Sequence, residues 1–149
     1  MTEKEMWNLY TQNNHVKNKT YDAWHFGGDD PTANELAKLV VNGIKTATAS
    51  AYQLYEIDNS PLPPIGGLNI ILDSDNNAVC ITQTIKVYTC PFGEVSESHA
   101  FKEGEGDCSI SYWRMVHKDF FSKEFKTYNL DFSENMMIVC EEFEVVWKE

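Results

Sequence analysis

Residues 102–121, KEGEGDCSISYWRMVHKDFF, place Glu103, Glu105 and Asp107 at alternate positions with glycines between them. A helical pattern carrying Trp113, Arg114 and His117 follows at once. Carboxylates this close raise one another's proton affinity, which suits general acid–base chemistry. The same acids favour the positive end of the following helix, with Asp107 or Ser109 as its N-cap. Capping accounts for one or two of the three. Gly104 and Gly106 let the backbone take positive φ or approach a ligand closely. Three carboxylates also suit Mg or Ca, but the segment lacks the ligand count and spacing of a calcium loop, so no metal is expected.

A second constellation is Gly43-Ile44-Lys45-Thr46-Ala47-Thr48. A lysine in a partly desolvated pocket loses proton affinity and can activate a nearby hydroxyl, here that of Thr48. A structural account serves equally: Gly43 ends a helix, Lys45 sits near that helix's negative end, and the threonines favour a strand. Strict alternation puts Lys45 and Thr48 on opposite faces, so a bulge or twist at the strand start is needed to bring them together. Trp24-His25-Phe26 reads either as a stacking platform for a base or as an aromatic plug that anchors a loop. His117 lies four residues past Trp113 and shares its side of the helix. Arg114 is within sequence reach of an ion pair with Glu103 or Glu105. Gln83 and Glu141 each interrupt an inward apolar row of a strand. A polar group there needs a partner, so each marks either a register shift or a polar pocket inside the sheet.

The elements that must position these residues follow from periodicity. Residues 3–14 form a helix with Met6, Leu9 and Tyr10 on one stripe. A polar loop covers residues 13–30. Asp30-Pro31 starts a second helix, with Asp30 as N-cap, Leu36, Leu39 and Val40 as its stripe and Gly43 at its end. Residues 44–50 alternate as a strand. A loop rich in turn residues leads to a strand over 68–73, and a turn leads to a long strand over 78–90 with Val79, Ile81, Gln83, Ile85 and Val87 on one face. A loop with a short turn of helix precedes a helix from Asp107 to about Phe121, which buries Ile110, Trp113, Val116 and Phe120. The last strand, to residue 148, sets Met137, Val139, Glu141, Phe143, Val145 and Trp147 on one face. The order α-α-β-β-β-α-β, with helices set apart from runs of strands, gives the α+β class and a small, mostly antiparallel β-barrel flanked by helices.

Composition narrows the function. The chain has 149 residues, 42% hydrophobic and 13% aromatic, which supports one compact core without staples. No apolar run approaches a membrane span, and the polar N-terminus does not read as a signal peptide. Cys80, Cys90, Cys108 and Cys140 have no metal-binding spacing and read as reduced thiols, consistent with a cytoplasmic location. The net charge of −11 repels phosphate at long range, so neither DNA nor a membrane is an expected partner.

The segments NGIKTATAS, EGEGDCSISYWRMVHKDFF and VCEEFEVV together resemble those of ASCH-domain proteins, which are PUA-like β-barrels. WHFG at residues 24–27 is similar to the bacterial subfamily with an N-terminal helical extension. The resemblance implies a single ASCH domain over residues 1–149, with residues 1–30 as that extension. The early family motif is Gly-x-Lys-x-x-(Glu or Thr)-x-Arg. Gly43, Lys45 and Thr48 match it, and Ser50 stands where the arginine would be. A family amidohydrolase that deacetylates N-acetylcytidine uses a lysine, a threonine and a glutamate. By resemblance these are Lys45, Thr48 and Glu103, the last through His99-Ala100-Phe101-Lys102-Glu103, with Glu105 as a rival. The resemblance implies a nucleoside or RNA ligand in a cleft that also draws on Trp24, His25, Thr46, Ser50, Glu105, Asp107, Arg114 and His117, with no cofactor. Lys45 would activate Thr48 or a water against an amide carbonyl, and Glu103 would carry the proton to the leaving amine. The alternative is a non-catalytic module that recognises RNA or a modified base.

Overall fold

The computed structural model describes residues 1–16 and 20–149. It runs α1 (Glu3–Asn13), β1 (Asp22–Trp24), α2 (Asp30–Val41), β2 (Ala47–Ala51), α3 (Tyr52–Ile57), β3 (Leu68–Leu72), β4 (Ala78–Pro91), a 3-10 turn (Phe92–Glu94), α4 (Glu97–Glu103), α5 (Ile110–Lys126) and β5 (Met137–Lys148). The strands form one sheet in the order β1-β3-β4-β5-β2. Among the described residues β1 and β3 pair in parallel and the other strand pairs are antiparallel. The sheet curls into a half-barrel flanked by helices, which is the α+β class and architecture expected from sequence. β1 and β2 are its two edges. Among the described residues no helix is long and apolar enough to cross a membrane, and all four cysteines are free.

Local chemistry starts and stops the helices where it should. Thr2 and Glu5 form a reciprocal capping box at α1. Asp29, not Asp30, caps α2, because its side chain reaches the Thr32 amide; Pro31 then sits in the first turn. Ser96 caps α4 and Ser109 caps α5. α1 covers Leu68, Ile70 and Ile81 through Met6; α2 packs Ala37 and Val40 against Phe26, Ile71 and Phe143. α5 packs Trp113, Phe121 and Phe125 against Phe92, Ile138 and Cys140.

Several expectations are corrected. The polar loop expected over residues 13–30 contains β1, and its residues 17–19 lie outside the described residues. β2 begins at Ala47 rather than Ile44. Helix α3 occupies a stretch to which the sequence reading assigns no element, the short turn of helix expected before α5 is a 3-10 turn and the full helix α4, and α5 continues to Lys126. Its buried row is Trp113, His117, Phe121 and Phe125, offset from the row with Val116 and Phe120. In β4, bulges at Ile81/Thr82 and Thr84/Lys86 reset the alternation, so Ile85 turns outward and Thr82 and Thr84 are buried. In β5, Ile138 to Glu141 are all buried, because helices and sheet cover both faces there, while Met137 is exposed.

Candidate functional site

Lys45 does not belong to a strand. Its amide and that of Ile44 both bond the Leu39 carbonyl at the end of α2, at 3.0 and 2.9 Å. Thr46 then donates its amide and its hydroxyl to the Lys102 carbonyl of α4, at 2.7 and 3.3 Å. This bend frees Lys45 from strand alternation and aims it at the acids that follow α4. Gly104 makes the junction possible. It ends α4 at φ +69°, and a Cβ there would meet the Ile44 carbonyl oxygen at 2.6 Å. The close approach that the glycines permit is therefore to the chain's own backbone.

The result is a buried ionic network. Lys45 Nζ lies 3.1 Å from Glu103 Oε1 and 3.1 Å from Glu105 Oε2. Glu103 Oε2 accepts from His99 Nε2 at 2.7 Å and from the Trp113 indole N–H. His117 Nε2 lies 3.4 Å from Glu103 Oε1, and its Nδ1 faces the Trp113 carbonyl at 2.9 Å. Both ring nitrogens of His117 thus face acceptors, which favours the doubly protonated ring. His99 Nδ1 is buried without a hydrogen-bond partner among the described residues.

Burial opposes charge on Glu103, Lys45, His117 and Glu105, and the partners overrule it for the first three. Burial pushes the Glu103 carboxyl up, but Lys45 and the bonds from His117 and His99 hold it well below the usual carboxylate range. Burial pulls Lys45 down, but Glu103 and Glu105 raise it above an ordinary lysine. Burial also lowers His117, and the same two acids raise it overall. Glu105 goes the other way: burial and repulsion from Glu103 outweigh Lys45 and raise its carboxyl. Glu103, Glu105 and His117 bring donor atoms within 4.8 Å of one another, a spacing a metal can bridge. The Lys45 ammonium already stands between the two carboxylates.

A cavity of about 600 Å³ opens beside this network. The residues around β1 and β2 supply two of its walls, so it lies between the two edges of the half-barrel. Trp24, Phe26, Tyr55 and Phe120 give it aromatic faces. Thr48, Ser50, Asn69, Thr84, Glu124 and Glu141 give it polar groups. No Lys or Arg lines it among the described residues. Trp24 Nε1 donates to Asn69 Oδ1 at 3.1 Å, and the Ser50 and Tyr55 hydroxyls are 2.8 Å apart. Burial raises the Tyr55 hydroxyl and the Glu124 carboxyl, and pushes the Glu141 carboxyl up to about 7. Phe26 touches both regions, since its ring centroid lies 5.3 Å from Lys45 Nζ.

The sequence-derived candidates therefore divide. Lys45, Glu103, Glu105 and His117 meet in the network. Trp24, His25, Thr48 and Ser50 meet in the cavity, and no hydrogen bond joins Thr48 to Lys45 or Glu103 among the described residues. Thr46 is spent on the Lys102 carbonyl. Asp107 is exposed and accepts from the Ser109 amide at 2.9 Å; Ser109, not Asp107, is the cap. Arg114 donates to the Gly93 and Val95 carbonyls at 3.0 and 3.2 Å, and it forms no ion pair with Glu103 or Glu105 among the described residues. His99, Trp113, Tyr55, Asn69 and Glu124 complete the two regions. The i, i+4 spacing of His99 and Glu103 was a usable signal for the first of these. Glu141 carried its own signal as a polar break in an apolar row. Gln83 resolves differently, since it donates to the Gly66 carbonyl at 3.2 Å on a bulged strand.

The model of the ASCH domain family matches residues 22–147. The chain belongs to the ASCH domain family. An ASCH domain from Lactobacillus crispatus JV V101 is 31% identical, with a TM-score of 0.92 over 96% of this chain and 92% of that one. A protein from Enterococcus faecalis V583 is 36% identical, with a TM-score of 0.89 over 96% of this chain and 86% of that one. An ASCH protein from Zymomonas mobilis, 13% identical with a TM-score of 0.51 over 87% of this chain and 71% of that one, shares the fold. No curated protein matches the sequence. The curled sheet of this ASCH domain, with the family match starting at Asp22, includes β1 and hence both walls of the cavity.

Proposed function

We propose that the cavity between β1 and β2 binds a nucleoside, or a single base of an RNA, as a neutral flat ligand. ASCH domains are linked to RNA binding in general, which sets the ligand class. The observation that carries the reading is the cavity wall. It combines aromatic faces with hydroxyl, amide and carboxyl groups and holds no Lys or Arg among the described residues. Its volume of about 600 Å³ falls within the range of small-molecule sites and leaves room for a base and a ribose. Trp24 and Phe26 supply stacking, worth about 1–3 kcal/mol per base. Thr48 and Ser50 supply hydroxyls to the ligand's polar edge, and His25 stands at the rim. A polynucleotide gripped by its phosphates would need cations, and the chain's net charge of −11 works against one. The test is calorimetric titration with the four common nucleosides and a short RNA at two salt concentrations. Saturable nucleoside binding that barely responds to salt supports the cavity reading. RNA binding that falls steeply with salt, with no nucleoside binding, overturns it.

A second reading is favoured by one observation. Thr48 lies on the cavity wall and pairs in register with Glu141 across β2 and β5. Hydrolysis of an N-acylated nucleoside by Lys45, Thr48 and Glu103 would build on that wall. Both Glu103 oxygens are already engaged and Lys45 holds its proton, so Glu105, with its raised carboxyl, is the better-placed proton carrier of the network. Incubation with N-acetylcytidine and chromatography for released cytidine tests this. Thr48→Val is the control, because it leaves the ionic network intact. No release at high protein concentration rejects the substrate.

A further inference from the structure

Among the described residues the buried carboxyl groups are Glu103 and Glu141, and Glu141 stands apart. It is 5% exposed, it lines the cavity, and no hydrogen bond or ion pair engages its side chain among the described residues. The neighbouring Glu142 is held by Lys102 at 2.9 Å and Lys86 at 3.8 Å, so the nearby cations turn away from Glu141. The other titratable groups on the cavity wall are Tyr21, Asp22, His25, Tyr55 and Glu124. None is a lysine or arginine that would hold the Glu141 carboxyl in its ionised form. The sealed side-chain polar atoms without a partner among the described residues are His99 Nδ1 and Arg114 Nε, so the Glu141 oxygens open onto the cavity, where a ligand group can reach them.

We propose that Glu141 is the specificity residue of the cavity and reads the edge of an aminopyrimidine or aminopurine, a ring nitrogen beside an exocyclic amine. The inference rests on the nucleoside reading above. A neutral carboxyl offers one O–H donor and one C=O acceptor side by side. Cytosine- and adenine-type edges present the complement, a ring-nitrogen acceptor next to an N–H donor. Uracil- and hypoxanthine-type edges offer a carbonyl oxygen instead, which is a much weaker base and a poorer acceptor for the carboxyl proton. Burial keeps Glu141 in its neutral form up to about pH 7, so the donor is available at and below neutrality. Above that pH the carboxylate can only accept, and it repels the ring nitrogen while still accepting a ring N–H.

The experiment is calorimetric titration of the full chain with two matched pairs, cytidine against uridine and adenosine against inosine, at pH 6.5 and pH 8.5. Cytidine and adenosine are expected to bind at least tenfold more tightly than their partners at pH 6.5, and that preference is expected to shrink or reverse at pH 8.5. Glu141→Gln keeps a donor and an acceptor at all pH values, so it should keep the preference and lose its pH dependence. Glu141→Leu should abolish the preference at both. Circular dichroism verifies that each variant is folded, and Glu141→Gln carries the test if the leucine variant is not. Equal binding within each pair at pH 6.5, or an unchanged pH response in Glu141→Gln, overturns the inference while leaving the nucleoside reading intact. Absence of any nucleoside binding overturns the nucleoside reading and this inference with it.

Discussion

Glu103 and Glu141 are both buried carboxyl groups, 1% and 5% exposed, in neighbouring parts of one small domain. They could hardly differ more. Glu103 is surrounded by Lys45, His99, Trp113 and His117, and it is ionised. Glu141 has only the cavity in front of it and holds its proton to about pH 7. Burial alone does not mark a functional group. A saturated buried charge anchors the chain, whereas a neutral carboxyl that opens onto a cavity is free to take a ligand. The proposed hydrolysis would draw its lysine and glutamate from the first region. The electrostatics raise one carboxyl in each region, Glu105 in the first and Glu141 in the second.

The contrast can be broken most strongly at Lys45. Lys45→Ala leaves Glu103 and Glu105 uncompensated and is expected to cost about 3–5 kcal/mol in urea unfolding. Thr48→Val, on the cavity wall, should change stability by less than about 1 kcal/mol. Equal small effects of the two would mean that the network is no anchor. Glu141→Gln should act in the opposite sense. The folded carboxyl holds its proton to about pH 7 and the unfolded one only to about 4.5, so folding takes up a proton between these values. Wild-type stability therefore loses this contribution as pH rises through that window. The variant should be more stable by up to about 3 kcal/mol at pH 8 and little changed at pH 4, as read by thermal melts. His117→Gln sharpens the first region. The folded His117 pKa is raised, so its contribution is full below the unfolded value near 6.5 and fades as pH rises through the folded one. The variant should lose about 1.5 kcal/mol at pH 6, with a smaller loss at pH 9. Ser50→Ala, which removes the bond to Tyr55, should cost about 1 kcal/mol while weakening nucleoside binding.

What the sequence disclosed follows the range of the forces involved. α2 and the long strands β4 and β5 were legible, because a cap, a proline or a sustained apolar pattern is local. β1 was not. It has three residues, and only its parallel pairing with Asn69, Ile70 and Ile71 makes it a strand. α3 has no side-chain cap and buries no residue, so nothing in its sequence announces it. The face of α5 was misread by one step because His117 scores as polar, and only the Glu103 network gives it a reason to be inside. Lys45 and Thr48 do not converge, and the reason is similar. The bend held by Leu39 and Lys102 shortens the strand, and no spacing rule reports it. Glu141 was flagged by its own misfit in an apolar row, yet its isolation depends on where Lys86 and Lys102 point.

The shortness of β1 sets a clock on the cavity. Its partner strand β3 lies beyond α2, β2 and α3 in the chain, and three paired residues give this wall few bonds to delay its release. Regions with so little cooperative support exchange their amide protons through local opening, well before the whole molecule unfolds. Asp22, Ala23 and Trp24 should therefore exchange faster than the paired interior of β4 and β5. A molecule lodged between the two edges would act as a cross-tie, and its residence would be written in the slowed exchange of those three amides.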